Sequence, residues 1–300
     1  MKKKLINIIV IVLLIVGLSL LLYPSVSDYL RSLAYYRTIT EYQAEVEALD
    51  EEIYEDMLAA ARDYNVRLAA KNHSLAIITE EELTEYENLL NVGSDGLMGY
   101  VAIPKIEVSL PIYHGTSDAV LQSGVGHLEG SSLPVGGEGT HTVLSAHRGL
   151  PSAKLFTSID QLVEGDIFRV HVLKEILTYE VDDIQTVLPQ EVGSIRINPE
   201  QDYCTLLTCT PYGVNTHRLL VRGHRIETVL DENDSDVVVP QIKPDWLRQL
   251  LTVLFPLLIL MLIILIIWKM VKRRKSRQTE QEEVPEEKSG QDEDKKKILH

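Results

Sequence analysis

Two apolar runs bracket the chain. Residues 5–22 are interrupted only by Asn7, Gly17 and Ser19, and residues 250–268 only by Thr252 and Pro256. Each approaches the roughly 20 residues that a helix needs to cross a bilayer. Lys2, Lys3 and Lys4 precede the first run; Lys269, Lys272, Arg273, Arg274 and Lys275 follow the second. Positive flanks stay on the cytoplasmic side. The pattern therefore predicts a two-pass protein with both ends inside and residues 23–248 on the outer face. A cleaved signal peptide is the competing reading of the first run, with Ser25-Val26-Ser27 a weak cleavage site.

Between the runs the periodicity changes once. Residues 25–91 contain no glycine or proline and carry apolar positions at Leu30, Leu33 and Ala34, then Val46, Leu49, Ile53, Met57 and Ala60, with acidic residues on the other face. This predicts helix, with Ser27-Asp28 as its cap, packed on a following domain or paired as a coiled coil. Residues 91–97, NVGSDGL, form a loop by their two glycines and the Asp95-Gly96 turn signal.

From Met98 the period drops to about two. Strands are expected at residues 100–103, 108–113, 141–145, 167–172, 176–181, 184–187, 203–209 and 217–222, with a short helical turn at 155–162. About eight short strands with Gly/Pro punctuation predict an all-β closed barrel. The expected organisation is a membrane segment at 1–23, a helical region with its loop at 24–97, a β-barrel at 98–230, a linker at 231–249, a second membrane helix at 250–268 and a charged, disordered tail at 269–300.

The net charge of −15 argues against a nucleic-acid partner. Much of it lies in the tail, where Glu280, Glu282, Glu283, Glu286, Glu287, Asp292, Glu293 and Asp294 mix with lysines. There are two cysteines, Cys204 and Cys209. On one strand they point to opposite faces, and at about 3.3 Å per residue their Cα atoms stand roughly 16 Å apart, beyond the reach of a disulfide. Cys209 is therefore expected as a free thiol and Cys204 as a buried structural residue.

Cys209 ends an apolar run and precedes a polar turn. A hairpin centred near Tyr212-Gly213 would set Arg218 opposite it. The thiolate is the reactive form of a cysteine, and a neighbouring cation stabilises it. A base could come from His147, in the Gly-containing segment SAHRGLPSAKLF. Cysteine, histidine and a cation, far apart in sequence, are the parts of a thiol acyl-transfer site. His127 competes for the role of base, and Thr208 could shape an oxyanion site or serve only as a strand former. Arg222 and Arg225 read as solvated strand arginines, Arg148 as a non-catalytic contact for an acidic surface or substrate. No metal constellation stands out: Asp182-Asp183 and Glu81-Glu82 lack companions at calcium-loop spacing.

TLLTC (205–209), Arg218 nine residues on and AHRG (146–149) together resemble the sortase family. MGYVAIPKIEVSLPIYHGTS, GVGHLEGSSLPVGG and TCTPYGVNTHRLLVRG resemble its class C, pilin-polymerising branch, over about residues 98–226. The resemblance implies a sortase-type β-barrel with Cys209 as nucleophile, His147 as general acid/base and Arg218 as charge stabiliser, and no cofactor. It implies cleavage of an LPxTG-like signal at Thr–Gly, a thioester acyl-enzyme, and transfer to a lysine amine of a pilin subunit. The class C branch often carries a lid with an Asp-Pro-aromatic motif; this chain contains no Asp-Pro, and Asp95 is the nearest acidic candidate. Two other readings stay open on the residues alone: a membrane-anchored cysteine protease, and a catalytically silent membrane scaffold.

Overall fold

The computed structural model describes residues 2–71, 79–229 and 236–240; the second apolar run and the tail lie outside them. The first apolar run continues without a break into α1 (Lys2–Glu47), carrying Pro24 inside it. Ser27 is therefore no cap. It sits within the helix and its hydroxyl donates to the carbonyl of Ser152. A window of α1 is long and apolar enough to cross a membrane and is unburied by the protein. After a turn at Ala48–Asp50 come α2 (Glu51–Lys71), with Glu51 and Glu52 in its first turn, and α3 (Glu80–Asn88). Thr79 and Glu82 close a reciprocal capping box on α3, satisfying two of the N–H groups that a helix start leaves unpaired.

The buried stripes of these helices match the expected aliphatic positions at Val46 but not at Leu30, Leu33 or Ile53. Leu30, Leu33 and Ile53 are exposed, while Tyr35, Ile39, Tyr42 and Val46 of α1 and Tyr54, Leu58, Ala61, Tyr64 and Leu68 of α2 are buried. Both sets keep the i, i+3/i+4 spacing of a single helix face. Tyrosines carry much of this face: each brings a large apolar ring, and the hydroxyls of Tyr42 and Tyr54 also find partners. Tyr42 donates to the Met98 carbonyl at 2.8 Å and accepts from the Leu173 N–H at 2.7 Å; Tyr54 donates to Glu175 at 2.7 Å. Asn65, buried on α2, closes a two-way bond with the backbone of Leu133.

Eight strands close a barrel: β1 (Leu97–Ile103), β2 (Val108–His114), β3 (Val125–His127), β4 (Thr140–Ser145), β5 (Ile167–Val172), β6 (Glu175–Val187), β7 (Asp202–Thr210) and β8 (His217–Ile226), ordered β1-β2-β3-β4-β7-β8-β6-β5. A short α4 (Asp118–Ser123), unforeseen in the sequence pattern, joins β2 to β3. The expected pair of strands at 176–181 and 184–187 is one strand, β6, with an irregularity between Val181 and Asp183. That step turns Asp182 and Asp183 outward to Arg222. Two contacts, β2–β3 and β4–β7, are parallel; the others are antiparallel.

Alternation assigns the faces. Cys204, Leu206, Leu219 and Val221 point into the main core beside Phe168 and Tyr179. Gly223 completes that face because a Cβ there would stand 2.8 Å from the Phe168 ring. Leu207 and Leu220 face outward into a second, smaller apolar cluster with Val143, Val187, Ile195 and Leu128.

Candidate active site

Cys209 faces outward, one step beyond that small cluster. Both cysteines are free thiols; Cys204 is fully buried in the core and Cys209 partly exposed. Burial pushes the Cys204 thiol well above its ordinary pKa, so its thiolate is disfavoured.

The β7–β8 hairpin pairs Cys209 with Arg218 directly. Residues opposite each other across two strands share a face, with Cβ atoms about 5 Å apart. The Arg218 guanidinium donates to the carbonyls of His217 at 3.1 Å and Asn215 at 3.3 Å. Among the described residues it has no carboxylate partner. These neutral carbonyls of the hairpin orient the guanidinium of the residue that stands opposite Cys209.

His147 reaches the same end of the barrel from the other side of β7. β4 runs parallel to β7, with Ser145 paired to Leu207. The chain then stays alongside: the Ala146 N–H donates to the Leu207 carbonyl at 3.1 Å, and the Thr208 hydroxyl donates to the Ala146 carbonyl at 2.7 Å. His147 is the next residue, leaving β4 level with Cys209. The register thus brings Cys209, His147 and Arg218 to one end of three adjacent strands. Thr208 is the inward-facing residue between them; with its hydroxyl committed to Ala146, its visible work is to hold the two strands together.

Residues around this trio fix the loop that carries His147. Arg148 donates to the Thr210 hydroxyl at 3.0 Å and to Asp160 at 2.5 Å. Its Nε is buried without a partner among the described residues. Gly149 adopts φ +79°, and a Cβ there would stand 2.9 Å from the Tyr212 ring. The β7–β8 loop therefore lies directly on the loop after β4. The sequence offers Arg148 as a contact for an acidic surface or substrate; the Asp160 bond fits the first, but the bond to Thr210 depends on register across 62 positions.

The other histidines are accounted for differently. His127 is completely buried; its Nε2–H donates to the Ser132 carbonyl at 2.8 Å, so Nδ1 accepts from the Tyr86 hydroxyl at 2.9 Å. Burial lowers its pKa to about 4. His141 donates from Nδ1 to the Arg196 carbonyl and accepts from Thr205 at Nε2, and burial lowers it likewise to about 4. Both are neutral structural links. Arg222 is not simply solvated: it pairs with Asp182 at 2.9 Å and stacks on Tyr203 at 4.4 Å. Arg225 lies over Tyr179 at 5.8 Å and 4.0 Å from Asp202.

The loop at residues 91–97 is bound back to α3 and across to β2. The Gly96 N–H donates to Asn91 and the Leu97 N–H to Asp95, and the His114 ring lies between the carbonyls of Gly96 and Leu89, its nitrogens 2.9 and 2.8 Å from them. Asp95 thereby caps its own turn. Among the described residues, no group of three or more His, Cys, Asp or Glu side chains converges as a metal site.

Residues 101–226 match the family model described as "Sortase domain". Sortase D of Bacillus subtilis is 30% identical over 165 residues, covering 53% of this chain and 80% of that protein. Among solved structures, sortase C1 of Streptococcus agalactiae is 49% identical with a TM-score of 0.63, covering 64% of this chain and all of that one. A Streptococcus pneumoniae sortase C, whose structure is described as informing catalysis and pilin substrate specificity, is 46% identical with a TM-score of 0.59 over 65% of this chain and 99% of its own. With the barrel order and the TLLTC strand already in place, these likenesses make the chain a member of the sortase family, and the solved structures it resembles here are class C sortases.

Proposed function

We propose that this protein is a class C sortase: a membrane-anchored cysteine transpeptidase that cleaves an LPxTG-like sorting signal and joins it to a lysine of a pilin subunit. The observation that carries the reading is the register of β4, β7 and β8, which gives a partly exposed thiol at Cys209 a paired guanidinium on one side and a histidine-bearing loop on the other.

The chemistry follows from the groups. The Cys209 thiolate attacks the Thr carbonyl carbon of the signal. Arg218, free of carboxylates among the described residues, suits the negative charge that develops on the carbonyl oxygen. His147, protonated, gives its proton to the departing Gly nitrogen, leaving a thioester on Cys209. The incoming lysine ε-amine attacks that thioester and surrenders a proton to His147; the C–S bond breaks and the isopeptide forms. The thioester conserves acyl-transfer potential, so no nucleotide is consumed. The outward face beside the thiol, where partly exposed Leu207 and Val187 pack over buried Leu220, suits apolar residues of a sorting signal.

The domain assignment accompanies this reading: a catalytic barrel at 98–230, preceded by a membrane anchor and flanked by the second apolar run at 250–268, with the barrel on the outer face. Intact-mass measurement on the full-length chain with an LPxTG-type peptide tests it. The expected result is a thioester adduct on Cys209, converted to an isopeptide product when a lysine-bearing pilin domain is added. Free peptide acid as the sole product, even with abundant pilin, would make the protein a protease.

A further inference from the structure

The helix that carries the first apolar run also holds the loop of the candidate site. Ser27 lies five residues beyond Leu22 in one continuous helix, or about 7.5 Å along its axis. The polar layer outside a bilayer's hydrocarbon core is about 5–8 Å thick on each side. Contacts made by Ser27, and by Asp28 at about 9 Å, are therefore made at the outer edge of the headgroup layer. Both are made to the segment that follows His147. The Ser27 hydroxyl donates to the Ser152 carbonyl at 3.2 Å, the Lys154 N–H donates to Asp28 at 2.9 Å, and the Lys154 ammonium stands 3.4 Å from the same carboxylate.

A second anchor point fixes the direction of the barrel. Tyr42 lies fourteen residues beyond Asp28 on α1, about 21 Å farther from the membrane. Its hydroxyl binds Met98 and Leu173. Leu173 is the turn between β5 and β6, and β6 runs from Glu175 beside that turn to Val187 beside Arg218. The turn and the Cys209 end are thus opposite ends of the barrel. The turn is held high on α1 and the site-bearing loop is held low.

The side chains shown at the low end suit an interface. Tyr212 and Val214, at the tip of the β7–β8 loop, are 61% and 63% exposed. Tyr212 rests on Gly149, three residues from Ser152. Val26 and Leu30 of α1 are exposed on the same stretch of helix, and the Lys154 side chain is 70% exposed. Tyrosine belongs at the membrane–water boundary, and lysine beside anionic headgroups.

We propose that the Cys209 end of the barrel rests on the outer surface of the bilayer, with Tyr212 and Val214 seated among the lipid headgroups and Lys154 beside anionic phosphates. This rests on residues 5–22 being a membrane span. It places the thiol at the height where a membrane-tethered substrate presents the residues next to its own span, and turns the opposite end of the barrel outward.

The test uses the full chain with Trp246→Phe and Trp268→Phe, its two native tryptophans removed, and Tyr212→Trp as the reporter. It is reconstituted in vesicles of equal parts phosphatidylglycerol and phosphatidylcholine, with or without brominated acyl chains. The expected result is a loss of Tyr212→Trp emission on the order of twofold in brominated vesicles. Ile53→Trp, exposed beside the Tyr54 that binds Glu175 at the far end, should be unquenched. Val214→Trp repeats the measurement should Tyr212→Trp fail to fold. Vesicle-bound protein with an unquenched reporter, or equal quenching at both ends, overturns the orientation alone. Protein that does not float with the vesicles overturns the membrane span and the orientation together, while leaving the thioester assay of Cys209 to judge the catalytic reading.

Discussion

Arg148 donates a hydrogen bond at 3.0 Å to the hydroxyl of Thr210, the residue immediately after Cys209. The residue after the candidate base is thus tied to the residue after the candidate nucleophile. Charged hydrogen bonds of this kind contribute about 1.5–3 kcal/mol, and a tenfold rate change corresponds to about 1.4 kcal/mol. Arg148→Gln should lower kcat about tenfold or more with little change in KM. Arg148→Lys should recover only part, since one ammonium cannot reach Thr210 and Asp160 in the same geometry. Steady-state transpeptidation with both variants checks this; a change confined to KM would place Arg148 in substrate binding instead.

The two thiols should separate cleanly. Native protein treated with iodoacetamide should be alkylated at Cys209 and spared at Cys204, which is fully buried in the core. Cys209→Ala should abolish thioester formation and leave the thermal midpoint within a degree or two. Cys204→Ser should keep the reaction while losing about 1–3 kcal/mol of stability, because it buries a hydroxyl among apolar side chains. Peptide mapping by mass spectrometry and thermal melts give both readings.

Acid should weaken the fold before it protonates carboxylates. His127 and His141 have folded pKa values lowered to about 4, against about 6.5 unfolded. Between those values the unfolded chain binds more protons, so stability falls as pH falls. The slope is about 1.4 kcal/mol per pH unit for each histidine at most. Denaturant melts between pH 7 and pH 5 should show this loss, and His127→Asn should flatten the slope whatever it does to absolute stability. A wild-type slope of zero in that window would contradict neutral burial of both rings.

The segment after the barrel is clipped to it by a buried carboxylate. Asp236 meets Arg169 at 2.5 Å and His171 at 2.9 Å, and its backbone carbonyl accepts from Ser109 at 2.6 Å. Burial raises its pKa but the His171 and Arg169 partners outweigh it, so the net shift is downward. A depressed carboxyl contributes stability that is present above its unfolded pKa and lost as pH falls through the folded one, a window below that of the histidines. Asp236→Ala should cost about 3 kcal/mol, the range for removing one partner of a buried pair. Loss of protease protection at residues 236–240 would locate the effect.

Much of this was legible from the residues. Alternation in 203–209 put Cys204 and Cys209 on opposite faces, and Pro211 and Gly213 centred the hairpin that pairs Cys209 with Arg218. Local pattern sufficed because a hairpin is a local structure. What escaped was long-range or chosen among equals. Leu30, Leu33 and Ile53 looked like the buried stripe, but the barrel offered polar backbone that tyrosine hydroxyls could satisfy and aliphatic side chains could not. The irregularity in β6 was read as a strand break because Asp182-Asp183 carries no sign of the arginine that faces it from β8. The meeting of Arg148 with Thr210 depends on the parallel pairing of β4 and β7, which no local pattern encodes.

That parallel pairing also sets when the thiol can become reactive. Arg218 reaches Cys209 through a hairpin whose loop is only residues 211–216, whereas Ala146 and Thr208 are 62 positions apart. Loop closure grows costlier with length, and nonlocal strand pairs limit folding rates. The folding chain can therefore bring cysteine and cation together early, while His147 joins them only when the barrel shuts. On the proposed function, the chain would therefore be unable to turn over substrate until folding is complete.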